Sequence, residues 1–307
     1  DFGTLEAELD EGVLEDWGIE IPEEEVLEAE EDDFDTTPPE IPITVLGDLY
    51  EIGEHRLLCG DSTCSDSVAK LMNGDKADIM FTSPPYNVGA NKSIPNSGGA
   101  KYNDCEDDKT ENEYFEWLCS NINAFLPFTS EIFYNIGLVE KSKRAINKIL
   151  FTYNDIFKDI IYWEKDTVAP HIQNGIINNR VEFILCFGNG SRKFENAQFS
   201  QGTYFNVIKG RNASGNEFAK IHKATFPIYL PENIISNFSK INSIVIDCFL
   251  GSGTTMVASH QLKRKCYGME LDCKYVDVCV KRIIKLDPTI NLKRNGVLIE
   301  HKEFTGE

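Results

Sequence analysis

Ser83, Pro84, Pro85 and Tyr86 follow one another at the carboxyl end of an apolar run, 77–83, that reads as a strand. Two consecutive prolines fix the backbone and remove two N–H donors, which leaves a rigid turn whose carbonyls act as acceptors beside the Ser83 hydroxyl. An exocyclic amino group of cytosine or adenine donates two hydrogen bonds, and its lone pair is delocalised into the ring. The Ser83 Oγ and the Pro84 carbonyl are two acceptors able to hold both N–H groups and localise that lone pair for attack on a methyl sulfonium. Tyr86 supplies a ring that can stack on a base turned out of a duplex. The plainer alternative is a strand-ending turn, because proline clusters commonly stop strands.

A second set lies in the segment 245–255, VIDCFLGSGTT. Asp247 ends a β-branched run, Phe249 follows, and Gly251, Ser252, Gly253, Thr254 and Thr255 lead into a helix-like stretch. Two glycines let the backbone approach a ligand closely, and a helix N-terminus offers unpaired N–H groups to a carboxylate or phosphate. Glu270 ends the next predicted strand, 17 residues after Gly253, where a carboxylate would accept hydrogen bonds from ribose hydroxyls. Met256 stands where a dinucleotide fingerprint has its third glycine, and no Gly-Lys-Ser/Thr of a P-loop is present. A ligand with a ribose and a carboxylate but no pyrophosphate fits best, and S-adenosyl-L-methionine is such a molecule.

These residues need a scaffold. Seven apolar runs read as strands: 55–61, 77–83, 131–137, 159–165, 181–188, 243–249 and 266–271. Helix-like stretches follow the first, second, third, sixth and seventh. Alternating strands and helices predict an α/β fold with a mainly parallel, doubly wound, Rossmann-like sheet of seven strands. The link between the fourth and fifth runs carries little helical pattern, so an antiparallel turn of the sheet is expected there. Two long polar segments, 88–113 and 189–220, break the rhythm. Loops of that length inside a domain usually carry function or lack fixed structure.

The net charge of −20 is unexpected for a partner of nucleic acid, because phosphate neutralisation needs Lys and Arg. Residues 1–40 resolve the conflict, since they hold 18 Asp or Glu and no Lys or Arg. Removing those 18 from the chain's 50 acidic residues leaves 32, against 30 basic ones. The segment 1–40 therefore reads as a flexible acidic tail or linker, or else as a DNA-mimicking arm. Residues 41–307 form the folded domain. Basic clusters at 141–144, Arg192–Lys193, Lys209–Arg211 and 263–265 are candidate phosphate contacts. The nine cysteines are scattered without a C-x-x-C pair, which points to reduced thiols in a cytoplasm and to no metal site. No apolar run reaches membrane-spanning length, and the chain opens on Asp1, as expected of the later part of a longer polypeptide.

Together these motifs resemble the DNA amino-methyltransferases, which methylate N4 of cytosine or N6 of adenine. Ser83-Pro84-Pro85-Tyr86 is similar to that family's catalytic motif, [D/N/S]-P-P-[Y/F], and 249–255, FLGSGTT, to its cofactor loop. The resemblance implies that the loop meets the carboxylate end of S-adenosylmethionine and that Glu270 binds its ribose. It implies that Asp61 contacts the adenine amino group and that Phe226 and Pro227 close over the methionine part. Catalytic motif first and cofactor loop later is the circularly permuted order of the beta group, with 189–220 as target-recognition region, 221–286 as cofactor-binding part and 88–113 as active-site loop. The implied partner is double-stranded DNA in a bacterial or phage-infected cell. A homodimer and an upstream domain of a longer chain are also admitted. The stretch 46–63, LGDLYEIGEHRLLCGDST, resembles phage-type enzymes fused to a ParB-like domain. Members with TSPPY are more often cytosine-N4 enzymes, so N4 is expected and N6 of adenine is the alternative. Cytosine-C5 chemistry is disfavoured, because it needs a Pro-Cys dipeptide that this sequence lacks. RNA or protein-amide methyltransferases usually place the cofactor loop first, and an inactive nucleic-acid-binding module would have no need of the intact motifs.

Overall fold

The computed structural model describes residues 27–87, 108–139, 142–165, 177, 179–192, 194–195, 202–210 and 226–306. Short β-branched and aromatic runs that are apolar on both faces become its central strands, as expected where helices cover both sides of a sheet. Numbered along the chain, β1 (Leu49–Ile52) and β2 (His55–Cys59) form a hairpin, followed by β3 (Ile79–Thr82) and β4 (Glu131–Ile136). Next come β5 (Phe157–Lys165), β6 (Val181–Gly188), β7 (Val207–Gly210), β8 (Ile244–Asp247) and β9 (Lys265–Glu270). A second hairpin, β10 (Leu292–Arg294) and β11 (Val297–Leu298), closes the series.

All of these lie in one sheet, ordered β11-β10-β1-β2-β9-β8-β3-β4-β6-β5-β7. The seven predicted strands are the contiguous block from β2 to β5 in that order, but the expected total of seven is corrected to eleven among the described residues. The additions extend the sheet at its two ends, β1, β10 and β11 beyond β2 and β7 beyond β5, and are too short to show an alternating pattern. One signal was present in the sequence: Asn295 and Gly296, at φ of 52° and 81°, make the two-residue turn that joins β10 to β11. The β5–β6 pair is antiparallel, as the missing helical pattern between them indicated.

Helices α1 (Ser65–Met72), α2 (Glu111–Phe125) and α3 (Lys143–Thr152) pack on one face of the sheet. The opposite face carries α4 (Tyr229–Phe238), α5 (Thr254–Gln261), α6 (Cys273–Leu286) and the short α7 (Lys302–Thr305). Helix starts follow local chemistry: Thr110 and Glu113 form a reciprocal capping box on α2, and Asp272 accepts from the Lys274 amide at the start of α6. No helix among the described residues is long and apolar enough to cross a membrane.

Topology gathers the chemistry on one rim. β2, β9, β8, β3 and β4 run parallel, so their carboxyl ends share an edge. β6 runs antiparallel to β4, which brings its first residues, Val181 and Glu182, to that same edge. β5 and β7, antiparallel and next-but-one to β6, return their last residues there.

The acidic segment departs from the expected solvated linker over residues 27–40. There the chain has no regular secondary structure, yet Ala29 is buried and Asp32 pairs with Arg282 of α6. Two of its carboxylates are matched, Asp32 by the Arg282 guanidinium and Glu31 by the Ile228 amide at the start of α4, which offsets part of the self-repulsion read from composition. Residues 1–26 lie outside the described residues.

Candidate active site

Ser83 leaves the end of β3 and the turn it starts is rigid, with Pro84 buried and Tyr86 half-buried. The Tyr86 hydroxyl donates to Glu182 Oε2 at 2.7 Å and lies 3.1 Å from Ser83 Oγ. Asn135 Nδ2, on β4, reaches Tyr86 Oη at 2.9 Å, Glu182 Oε2 at 3.0 Å and Ser83 Oγ at 3.2 Å. Lys165, the last residue of β5, completes the cluster through an ion pair with Glu182. Burial and the neighbouring Glu182 carboxylate push the Tyr86 phenol well above its ordinary pKa, so it stays a neutral donor. One side of the ring rests on Gly137, where an added Cβ would lie 2.9 Å from two ring carbons. The Pro85 carbonyl accepts from Tyr114 Oη at 2.8 Å, which ties the turn to α2. Beyond it, Asn87 at φ 60° exchanges two hydrogen bonds with Lys109, pinning together the two ends of the polar stretch between them.

Asn135, Gly137, Lys165 and Glu182 were not singled out from sequence. Each is an ordinary residue of a strand or strand end, 49 to 96 positions from Tyr86. Only the predicted sheet order could have brought them to this rim.

The adjacent strand, β8, carries the glycine-rich loop. Asp247 ends β8 fully buried, accepting from Thr82 Oγ1 and Thr255 Oγ1, both at 2.6 Å, and from the Phe249 amide at 3.1 Å. Burial raises its pKa despite these donors. Thr82 directly precedes Ser83, so its bond to Asp247 is a direct polar link between the Pro-Pro turn and the loop. Gly251 sits at φ 55°, and a Cβ there would meet nothing within 4 Å, so the loop borders open space. Gly253, at φ 90°, is the N-cap of α5 and has no side chain to cap it, which leaves first-turn N–H groups for an anionic ligand. Ser252, Thr254 and Thr255 are buried beneath the loop.

Glu270 ends β9 beside this loop. Its Oε2 accepts from Gly251 N at 2.8 Å and its Oε1 from Asp272 N at 2.9 Å. Burial pushes its pKa up to about 7, and the two amides only partly offset that. Asp61 follows β2, whose Cys59 pairs with Glu270, and its exposed carboxylate is held by the Thr63 amide and hydroxyl at 2.8 Å. Phe226 packs edge-on against Phe81 of β3 at 5.5 Å, so the segment with Pro227 stands over the junction of the two halves. Phe249 lies against Trp117 of α2 at 5.2 Å. A ribose-bearing ligand with a carboxylate fits what is present: an open glycine cradle, a helix start and one carboxylate on the neighbouring strand.

The expected phosphate contacts divide. Arg192 is corrected: its guanidinium is mostly buried, bonded to Glu131 at 2.5 Å and laid over Phe133 and Phe238. Glu131 opens β4, so this brace sits at the rim opposite the site. Lys209, by contrast, is exposed on β7 at the same rim as the Ser83 turn, 3.0 Å from Glu164. Lys193 and Arg211 lie outside the described residues, as does most of the loop 88–113.

A mixed sheet with a parallel centre, carrying a Pro-Pro turn and a Gly-rich loop on adjacent parallel strand ends, defines an α/β enzyme of the methyltransferase kind. The DNA methylase family of N6 and N4 enzymes matches residues 77–281, and the chain belongs to it: it is an S-adenosylmethionine-dependent DNA amino-methyltransferase. Among its relatives, Type II methyltransferase M.BglII of Bacillus subtilis is 24% identical over 267 residues, covering 72% of this chain and 70% of that protein. Type II methyltransferase M.Cfr9I of Citrobacter freundii is 40% identical over 128 residues, covering 40% of this chain and 43% of that protein. The fold is similar to that of the PvuII DNA methyltransferase, described as cytosine-N4-specific, with a TM-score of 0.59 at 18% identity over 83% of this chain and 91% of that one. It is also similar to the DNA modification methylase TTHA0409 of Thermus thermophilus, solved with S-adenosyl-L-methionine, with a TM-score of 0.51 at 21% identity over 76% of this chain and 95% of that one.

Proposed function

We propose that Ser83–Tyr86 methylates the exocyclic amino group of a base turned out of double-stranded DNA, with N4 of cytosine as the target. The observation that carries this reading is the junction itself: the acceptor turn and the glycine loop leave neighbouring parallel strands, joined by the 2.6 Å Thr82–Asp247 bond. S-adenosylmethionine, when bound, supplies an electrophilic methyl group on a sulfonium.

The residues of this chain divide the remaining work. Gly251, Ser252, Gly253, Thr254 and Thr255 would receive the cofactor's carboxylate end at the start of α5. Glu270 would accept from the ribose hydroxyls, Asp61 from the adenine amino group, and Phe226 and Pro227 would cover the methionine part. Asp247 holds the loop to the catalytic strand. At the target, Ser83 Oγ and the Pro84 carbonyl accept from the amino group, fixing its lone pair out of conjugation, and Tyr86 stacks on the base. Asn135 and Glu182 hold the Tyr86 hydroxyl, so the ring needs no reorganisation as the base enters. A neutral Ser83 hydroxyl rather than a carboxylate at the first motif position favours the cytosine reading. Lys209 contacts a phosphate, while 189–220 and 88–113 read the sequence around the target.

Transfer of labelled methyl into duplex DNA tests this directly. Tyr86→Ala should lose most activity and keep cofactor affinity, whereas Gly253→Arg should abolish cofactor binding. Full turnover by Tyr86→Ala would refute the stacking role.

A further inference from the structure

Asp32 and Glu31 belong to the acidic segment, upstream of the residues that match the methylase family. Four consecutive residues of this segment touch three different elements around the cofactor loop. The Ala29 amide donates to Glu232 Oε1 of α4 at 2.9 Å. Glu30 exchanges two bonds with the Gln261 side chain at the far end of α5, at 2.6 and 3.1 Å. Glu31 Oε1 accepts from the Ile228 amide at 2.7 Å. Asp32 takes Arg282 of α6 through both carboxylate oxygens, with Nε at 2.8 Å from Oδ2.

Two of these contacts reach the walls of the cofactor site. Ile228 directly follows Phe226-Pro227, and its amide is one of the unpaired donors at the start of α4, so Glu31 fixes where that wall begins. Arg282 uses its remaining nitrogen on the Ser252 carbonyl at 3.0 Å and on Thr254 Oγ1 at 3.3 Å. Only 5% of Arg282 is exposed, so without Asp32 it would be a buried cation facing neutral acceptors, which is strongly unfavourable. Asp32 thus keeps Arg282 in place, and Arg282 holds the peptide between the two loop glycines. By contrast, the Glu30–Gln261 bonds tie the strap to the part of α5 remote from the loop.

We infer that Asp32 and Glu31 are positioning residues for the cofactor site, supplied by a strap outside the family's matched region. The inference rests on assigning the 251–255 loop to S-adenosylmethionine. The test is isothermal calorimetry with S-adenosylmethionine on the full chain, together with steady-state kinetics and thermal melting, all run below the melting transition. Asp32→Asn should weaken cofactor binding about tenfold or more, the loss of a charged hydrogen-bond pair. Its turnover at saturating cofactor and its affinity for duplex DNA should stay at the wild-type level. Asp32→Glu should recover part of the loss. Glu31→Gln, which keeps an acceptor but removes the charge, should weaken binding about threefold, and gives the answer if Asp32→Asn does not fold. Gln261→Ala removes strap bonds without touching either wall and should leave cofactor affinity unchanged. Variants that bind the cofactor like the wild type and lose only melting temperature would overturn the inference alone. A folded wild-type protein that takes up no S-adenosylmethionine would overturn the loop assignment and the inference with it.

Discussion

The cofactor half and the target half of the site hold their polar groups in different ways. In the cofactor half, Glu270 is fixed by nearby backbone, the amides of Gly251 and Asp272, and Asp247 by the Phe249 amide together with the hydroxyls of Thr82 and Thr255. In the target half they are fixed by one another. Tyr86, Asn135, Glu182 and Lys165 come from the β3 turn, β4, β6 and β5, and meet only because the sheet sets them side by side. Backbone-held groups depend on the local loop conformation, so they should fail when a loop glycine is lost or when a contact that holds the loop, such as Arg282 on the Ser252 carbonyl, is lost. A side-chain network fails at any of its members, because each buried polar atom depends on the others.

Breaking the target half alone should give the largest effect. In Gly137→Ala the new methyl would lie 2.9 Å from two Tyr86 ring carbons, so the ring must move. Activity should fall about 100-fold, the scale of an ångström-sized misplacement, with the cofactor KM unchanged in a methyl-transfer assay. Equal loss in both parameters would place the damage in the general fold.

The cofactor half should respond to pH. Burial holds the Glu270 carboxyl near a pKa of about 7, so below that value it is mostly protonated and cannot accept from two ribose hydroxyls. The cofactor KM should rise about tenfold between pH 8 and pH 6, and Glu270→Gln should flatten that profile. The same shift acts in the opposite sense on stability. The folded state binds this proton more tightly than the unfolded chain, so the contribution is fully present below the ordinary value of 4.5 and is lost as pH rises through about 7.

The smallest change expected is at the network's outer member. Glu182→Gln keeps an acceptor for the Tyr86 hydroxyl but leaves Lys165 without its partner charge, and should lower turnover about fivefold. A variant with wild-type turnover would make the network a matter of stability only.

The same division governs what the sequence could reveal. Asp247, Gly251, Gly253 and Glu270 fall within 24 consecutive positions, and their spacing alone reads as strand, loop, helix and strand. The Ser83–Tyr86 turn is legible for the same reason, since two prolines dictate a local shape. Asn135 and Glu182 carry no such signal, because their partners are fixed by an antiparallel β4–β6 register that no local pattern encodes. Arg192 shows the converse error: a basic pair in a polar stretch reads as surface, yet Glu131, 61 positions away, turns it inward. The strap over 27–40 was hidden by composition, because the 18 acidic residues of 1–40, with no cations among them, suggest repulsion until Arg282 and Lys285 are placed beneath the strap.

The most direct measurement is nucleoside mass spectrometry of duplex DNA incubated with the protein and S-adenosylmethionine. N4-methyldeoxycytidine is the expected product, absent when Tyr86→Ala replaces the wild type. N6-methyldeoxyadenosine would keep the amino-methyltransferase reading and overturn the base assigned through Ser83. Unmodified nucleosides from a protein that binds the cofactor would contradict the proposed reaction itself.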